Sequence, residues 1–193
     1  MGVQLRILVF VLLLTALFFG FLHLFVDAGP YNFERLHVFL FNLCSGGTII
    51  LYFTGASRKL SLLTLLFLIL AIGYAIFAFV MIYIPAIIIA LILAAIVERH
   101  RIARFSLFPW GFFQKAEPVS DKFHQAALLC LSIGLVFSAA VILNNEYLRL
   151  ISLPKLQLDV FFLGFSFPVS LITLSLIFSF LDQSPNTLTR LLK

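Results

Sequence analysis

LSLLTLLFLILAIGYAIFAFVMIYIPAIIIALILAAIV, residues 60–97, runs for 38 residues without a charged side chain. As one straight helix it would be roughly 57 Å long at 1.5 Å per residue, nearly twice the hydrocarbon thickness of a bilayer. It must therefore fold back on itself. Pro85 suits the first turn of a helix, where its missing N–H costs nothing. The spacing predicts a hairpin turning around Phe79–Ile84, with helices over 60–80 and 84–100.

The composition agrees with a lipid environment. The chain of 193 residues is 63% hydrophobic and only 11% charged, with 24 phenylalanines. Soluble domains are about 45–50% apolar and about 25% charged. The net charge of +5 would suggest nucleic acid if the cations shared a soluble face. Here they flank apolar runs, the pattern of a protein orienting itself in a membrane, and no nucleic-acid partner is expected. Cys44 and Cys130 lie inside apolar runs and read as small packing residues. There is no phosphate-binding glycine loop, no G-x-S-x-G, no H-E-x-x-H and no C-x-x-C-H. The sequence leaves open whether the protein is an enzyme.

Outward from the hairpin, four further spans are expected at about 5–26, 33–54, 122–143 and 158–181. The first apolar run is longer than a signal-peptide core, so it is read as a retained helix despite the Val26-Asp27-Ala28 sequence that follows. With the N-terminus in the cytoplasm and strict alternation, the inner side carries Arg6, Arg58, Lys59, Arg99, Arg101, Arg104, Lys115, Lys122, Arg190 and Lys193. The outer side carries Arg35, Arg149 and Lys155. This positive-inside bias fails if 60–97 is one span. The expectation is an all-α, polytopic protein of the cell (inner) membrane. It is one domain over 1–193, a bundle of six transmembrane helices with both termini cytoplasmic.

Helices in lipid associate through close backbone approach and a few polar contacts. Gly46 and Gly47 give the second helix a bare patch, and Asn42 and Ser45 beside them are expected to bond between helices. Ala86, Ala90 and Ala94 form one small-residue stripe. Ala126, Cys130, Gly134 and Ser138 form another. Pro168, four residues after Gly164, is expected to kink the sixth helix near its middle. The inner segment from Glu98 to Lys122 carries cations at the end of the fourth helix. Trp110 and several phenylalanines follow at headgroup depth, with Ser120 as the expected N-cap of the fifth helix. His100 and His124 read as interfacial residues.

His23 and His37 stand apart. Each lies about one turn from the outer end of its helix, the second being capped by Asn32, and a short loop joins the two. Neutral imidazole is a common ligand for haem iron and other metals. The two histidines are therefore candidate ligands for a b-type haem or a quinone-contacting site. Glu34 is a candidate to fix the His37 tautomer. The competing reading is ordinary contact with headgroups or a loop carbonyl.

LHVFLFNLC (36–44) aligns faintly with LDVFFLGFS (158–166), four helices apart. RLHVFLFN resembles the second helix of haem-copper oxidase subunit I-like and NnrS-like membrane haem proteins, which repeat their architecture every four helices. The resemblance implies a haem ligand at His37. It covers chiefly 33–54 and, more faintly, 156–181. The family's copper-ligating histidine in the sixth helix is here Asp159, and the chain stops after six helices. The reading is a non-catalytic membrane component, such as a scaffold, assembly factor or accessory subunit. The alternatives are a redox subunit binding haem or quinone and a small neutral-solute transporter. The expected partners are the bilayer and a membrane partner subunit or a second copy.

Overall fold

A computed structural model describes residues 2–26, 31–55, 60–113, 117–151 and 165–183. Among these the regular elements are all helical. They are α1 (Val3–Phe25), α2 (Phe33–Thr54), α3 (Leu62–Phe79), α4 (Tyr83–Arg104), α5 (Val119–Leu148) and α6 (Phe167–Gln183). A 3-10 turn, Trp110–Phe113, lies between α4 and α5. The helices α1, α2, α3 and α5 each contain a stretch long and apolar enough to cross a membrane. α4 is 22 residues long, apolar to Val97 and charged from Glu98 onward.

Local chemistry sets the boundaries. Asn32 starts α2 by accepting the Arg35 N–H on Oδ1 at 2.9 Å, and Ser61 starts α3 by accepting the Thr64 N–H at 3.0 Å; each satisfies an amide that has no partner within its helix. α5 begins two residues earlier than expected. Pro118 occupies the cap position and offers no side-chain bond, while Ser120 falls in the first turn and gives its carbonyl to the Ser175 hydroxyl at 2.7 Å. Pro118 caps because the fixed φ of proline is compatible with a helix start.

The long apolar run folds back as expected. α3 ends at Phe79 and α4 begins at Tyr83. Met81 takes a left-handed conformation, φ 61°, and the Ile82 N–H reaches back to the Phe77 carbonyl at 2.9 Å. This is a Schellman closure with methionine where glycine is usual. Replacing Met81 with glycine removes the Cβ penalty.

Consecutive helices run antiparallel. Leu5 and Val9 near the start of α1 pack with Tyr52 near the end of α2, and Phe19 stacks on Phe33 at the opposite end. Phe33 and Tyr31 in turn meet Phe79 at the end of α3. Phe123 in the first turns of α5 stacks on Phe178 in the second half of α6.

α2 is the axis of the bundle. It touches every other helix, and 67% of its most apolar stretch is buried, against 17% for α1. Its middle, Phe39–Gly47, is π-helical. A Cβ at Gly46 would lie 2.3 Å from Val169 Cγ2 on α6. One at Gly47 would lie 2.8 Å from the Phe67 ring on α3. The expected bare patch is thus where two helices close on the axis.

The alanine stripe is buried at Ala86, Ala90 and Ala94. The α5 stripe is rotated from its expected phase. Gly134 and Ser138 are buried, while Ala126 and Cys130 are half-buried at the edge of a face centred on Leu128, Leu131 and Leu135.

α-Helical geometry in α6 starts at Phe167, directly after π-helical residues at 165–166, so Pro168 stands where one helical geometry passes into another; the segment before 165, needed to read the expected kink, lies outside the described residues. Gly164, Asp159, and all but two residues of the faint repeat at 158–166, lie outside the described residues.

Gly46→Ala is expected to destabilise the bundle by about 1–3 kcal/mol through overpacking, read as a lower melting temperature in mild detergent. Adding Val169→Ala should recover part of that loss, because it removes the clashing methyl. Met81→Gly should raise the melting temperature, by about 0.5–1 kcal/mol of stability.

Candidate functional site

His23 and His37 are placed by the α1–α2 hairpin. His37 lies on the first turns of α2, and its Nδ1 is 2.7 Å from the Ala16 carbonyl on α1. A carbonyl only accepts, so Nδ1 carries the proton. The ring is seated over Gly20, where a Cβ would come within 2.9 Å of Nδ1. Phe41 flanks the other side, with ring centroids 5.9 Å apart. Ala16, rather than Glu34, therefore fixes the tautomer. Glu34 instead faces His23, Oε2 to Nε2 3.7 Å, with both side chains largely exposed.

A bis-imidazole haem needs an open slot between its two ligands. At the level of His37, α1 and α2 approach so closely that the ring fills the notch left by a missing Cβ. In this arrangement His37 is held by the α1 backbone and His23 faces Glu34. Among the described residues, no three His, Cys, Asp or Glu side chains converge to hold a metal.

In the middle of the bundle, Tyr74 on α3 and Ser138 on α5 share a hydrogen bond in a fully buried site. The edges of Phe39 and Phe165 close over it: Phe39 meets Tyr74 at 5.0 Å and Phe165 at 5.6 Å. Ser45 departs from expectation. Its hydroxyl turns back to the Leu40 carbonyl at 2.9 Å within α2, because the wider π turn leaves that carbonyl within reach. Asn42 is half-buried.

The richest polar constellation among the described residues is at the end of the bundle where α2 and α4 finish, α5 begins and the second half of α6 passes. Thr54 Oγ1 is 2.8 Å from the Ile50 carbonyl and 2.8 Å from His124 Nε2. With the hydroxyl proton on the carbonyl, the imidazole donates to the hydroxyl oxygen. Arg104 joins three elements: Nη1 donates to the Phe53 carbonyl at 2.8 Å, Nη2 reaches Asp121 at 3.2 Å, and the guanidinium lies 5.4 Å from the Phe105 ring centre. Behind these contacts lies a cavity of about 590 Å³. Its walls include Thr54 from α2, His100 and Arg104 from α4, Ser120 and His124 from α5, and Ser179 from α6.

A second network locks the end of α4. Arg101 is only 4% exposed. Its Nε and Nη2 donate to one Glu98 carboxylate oxygen at 2.8 and 2.7 Å. Nη1 and Nη2 also reach the Ser106 and Leu107 carbonyls at 3.0 Å each. The other Glu98 oxygen accepts from Ser132 on α5. A buried guanidinium is tolerated here because four acceptor contacts replace its hydration.

His124 and Glu98 were both read as boundary residues in the sequence. The signals that could have raised them are local: Glu98 and Arg101 stand at i, i+3, a pairing distance on one helix face, and His124 falls one turn after Ser120. Their partners Thr54 and Ser132 are long-range and leave no such mark.

Comparison with family models, with curated proteins and with solved structures finds no match.

Glu98→Ala leaves Arg101 buried with half its acceptors gone. The expected loss is about 2–3 kcal/mol, measured as a lower midpoint of denaturant-induced unfolding in detergent. Glu98→Gln, which keeps an acceptor oxygen, should lose less.

Proposed function

We propose that this chain is an integral protein of the cell (inner) membrane with six spans and both ends cytoplasmic, acting as a non-catalytic membrane component: a scaffold, assembly or accessory subunit. The topology rests on the ten-to-three distribution of Lys and Arg between the two sides and on the antiparallel order of the helices. Large apolar side chains of α1, among them Phe10, Phe18, Phe21 and Phe25, face outward. In a bilayer that face is covered by acyl chains.

One observation carries the functional reading: interior polar side chains are engaged in joining helices. His37 bonds the α1 backbone, Tyr74 bonds Ser138, Thr54 bonds His124 and Ser132 bonds Glu98. Groups used in this way hold a bundle together. A redox or transport site would instead aim them at a cofactor or along a path.

The test is a reduced-minus-oxidised visible spectrum of the protein purified in mild detergent after haem-replete expression. A flat difference spectrum is expected, together with a lower melting temperature for His37→Ala because the Ala16 contact is lost. Soret and α bands that vanish in His37→Ala would overturn the reading in favour of a haem subunit.

A further inference from the structure

A second cavity lies beside the end of α4 and the first turns of α5. At about 450 Å³ it falls within the range of small-ligand sites, about 300–1,000 Å³. Gln125 on α5 forms part of its wall and is only 3% exposed. The Gln125 amide makes no hydrogen bond among the described residues, yet neither of its polar atoms is sealed off from open space. The little surface that the residue keeps faces this cavity. Buried polar groups are nearly always satisfied, so an open amide in a cavity wall marks a place where a partner belongs. An amide has a carbonyl that accepts and an NH2 that donates, so a partner that satisfies it carries donors and acceptors together.

The other walls carry both signs of charge. Arg104 and Asp121 line the cavity and neutralise each other across 3.2 Å. The Ser106 hydroxyl is given to the Phe108 carbonyl. Glu117 and Lys122 also line the cavity. Both are half-buried, and neither forms an ion pair among the described residues. One carboxylate and one ammonium are therefore open to a ligand. With two cations facing two anions, the walls hold no net charge to draw in a simple anion or a simple cation. They match a ligand that carries both charges itself.

Trp110 lines the same cavity and is largely exposed, as are Leu107, Phe108 and Phe113 in the same connection. Tryptophan beside exposed apolar side chains at a helix end seats among headgroups and upper acyl chains, so the cavity opens where lipid headgroups stand. We propose that it binds the headgroup of a zwitterionic phospholipid bearing a primary ammonium, such as phosphatidylethanolamine. The phosphate accepts from Lys122 and the Gln125 NH2, and the ammonium donates to Glu117 and the Gln125 carbonyl. A quaternary ammonium has no N–H and would leave those two acceptors unsatisfied. This proposal goes beyond the scaffold reading and does not depend on it.

The test uses the full chain in an uncharged detergent. Melting temperature is followed as phosphatidylethanolamine, phosphatidylcholine or phosphatidylglycerol is added to the micelles at equal mole fractions. A saturable rise is expected with phosphatidylethanolamine, larger than with either other lipid. Gln125→Leu removes an unpaired amide, so the lipid-free melting temperature should hold or rise. Its apparent affinity for phosphatidylethanolamine should nevertheless fall about tenfold, the value of one hydrogen bond to a charged group. A merely structural glutamine would not separate the two readouts in this way. Lys122→Gln and Glu117→Gln should each weaken the lipid response to a similar degree, and they serve if Gln125→Leu does not fold. A rise with phosphatidylethanolamine no larger than with either other lipid, or a specific rise that all three variants retain at full affinity, would overturn the proposal.

Discussion

Two adjacent glycines allow one helix to be the axis of five others. α2 meets α6 at Gly46 and α3 at Gly47, and neither approach leaves space for a methyl group. In water, hydrophobic burial would draw helices together despite imperfect surfaces. In lipid that drive is absent, since acyl chains are as apolar as leucine. Contact between the bare α2 backbone and the side chains of its neighbours, Val169 and Phe67, must then supply the dispersion attraction. The burial of α2 against the exposure of α1 follows from where those glycines stand.

The same solvent explains the pairing of polar groups. A hydroxyl or imidazole in hydrocarbon cannot turn to water, so each must meet a partner on its own helix or a neighbour. Short side chains take the first course: Ser45 and Thr48 bond carbonyls of α2. Longer ones cross to a neighbour, as His37 does to Ala16 and Tyr74 to Ser138. Arg101 takes a third course. Besides Glu98 on its own helix, its acceptors come from the turn that follows, so the cation ties the chain down as it leaves α4.

Much of this architecture is written in local sequence. The hairpin at Val80–Ile82 follows from a run too long for one bilayer crossing, and the start of α2 follows from Asn32. What could not be read are the features set by partners distant in the chain. The α5 stripe is rotated because α4 and α6 both press on it, and the face between them centres on leucines rather than on the small residues. At Pro168 π-helical geometry gives way to α-helical geometry, a change that an apolar run does not announce. In the sequence His23 and His37 stand out, since histidine in an apolar span is conspicuous. The denser polar cluster lies at the other end, assembled from Thr54, His100, Arg104 and His124, residues that look ordinary at a boundary until three helices bring them together.

The π-helical middle of α2 has a mechanical consequence. It lies between the His37–Ala16 contact at one end and the Thr54–His124 contact at the other. Each residue of register gained or lost by tightening those wide turns would rotate one half of the helix against the other by about 100°. Both end contacts could not survive that twist. The helix is therefore clamped in torsion from its two ends, and the wound segment between them sets the phase at which the α1–α2 hairpin and the cavity at the opposite end face their neighbours.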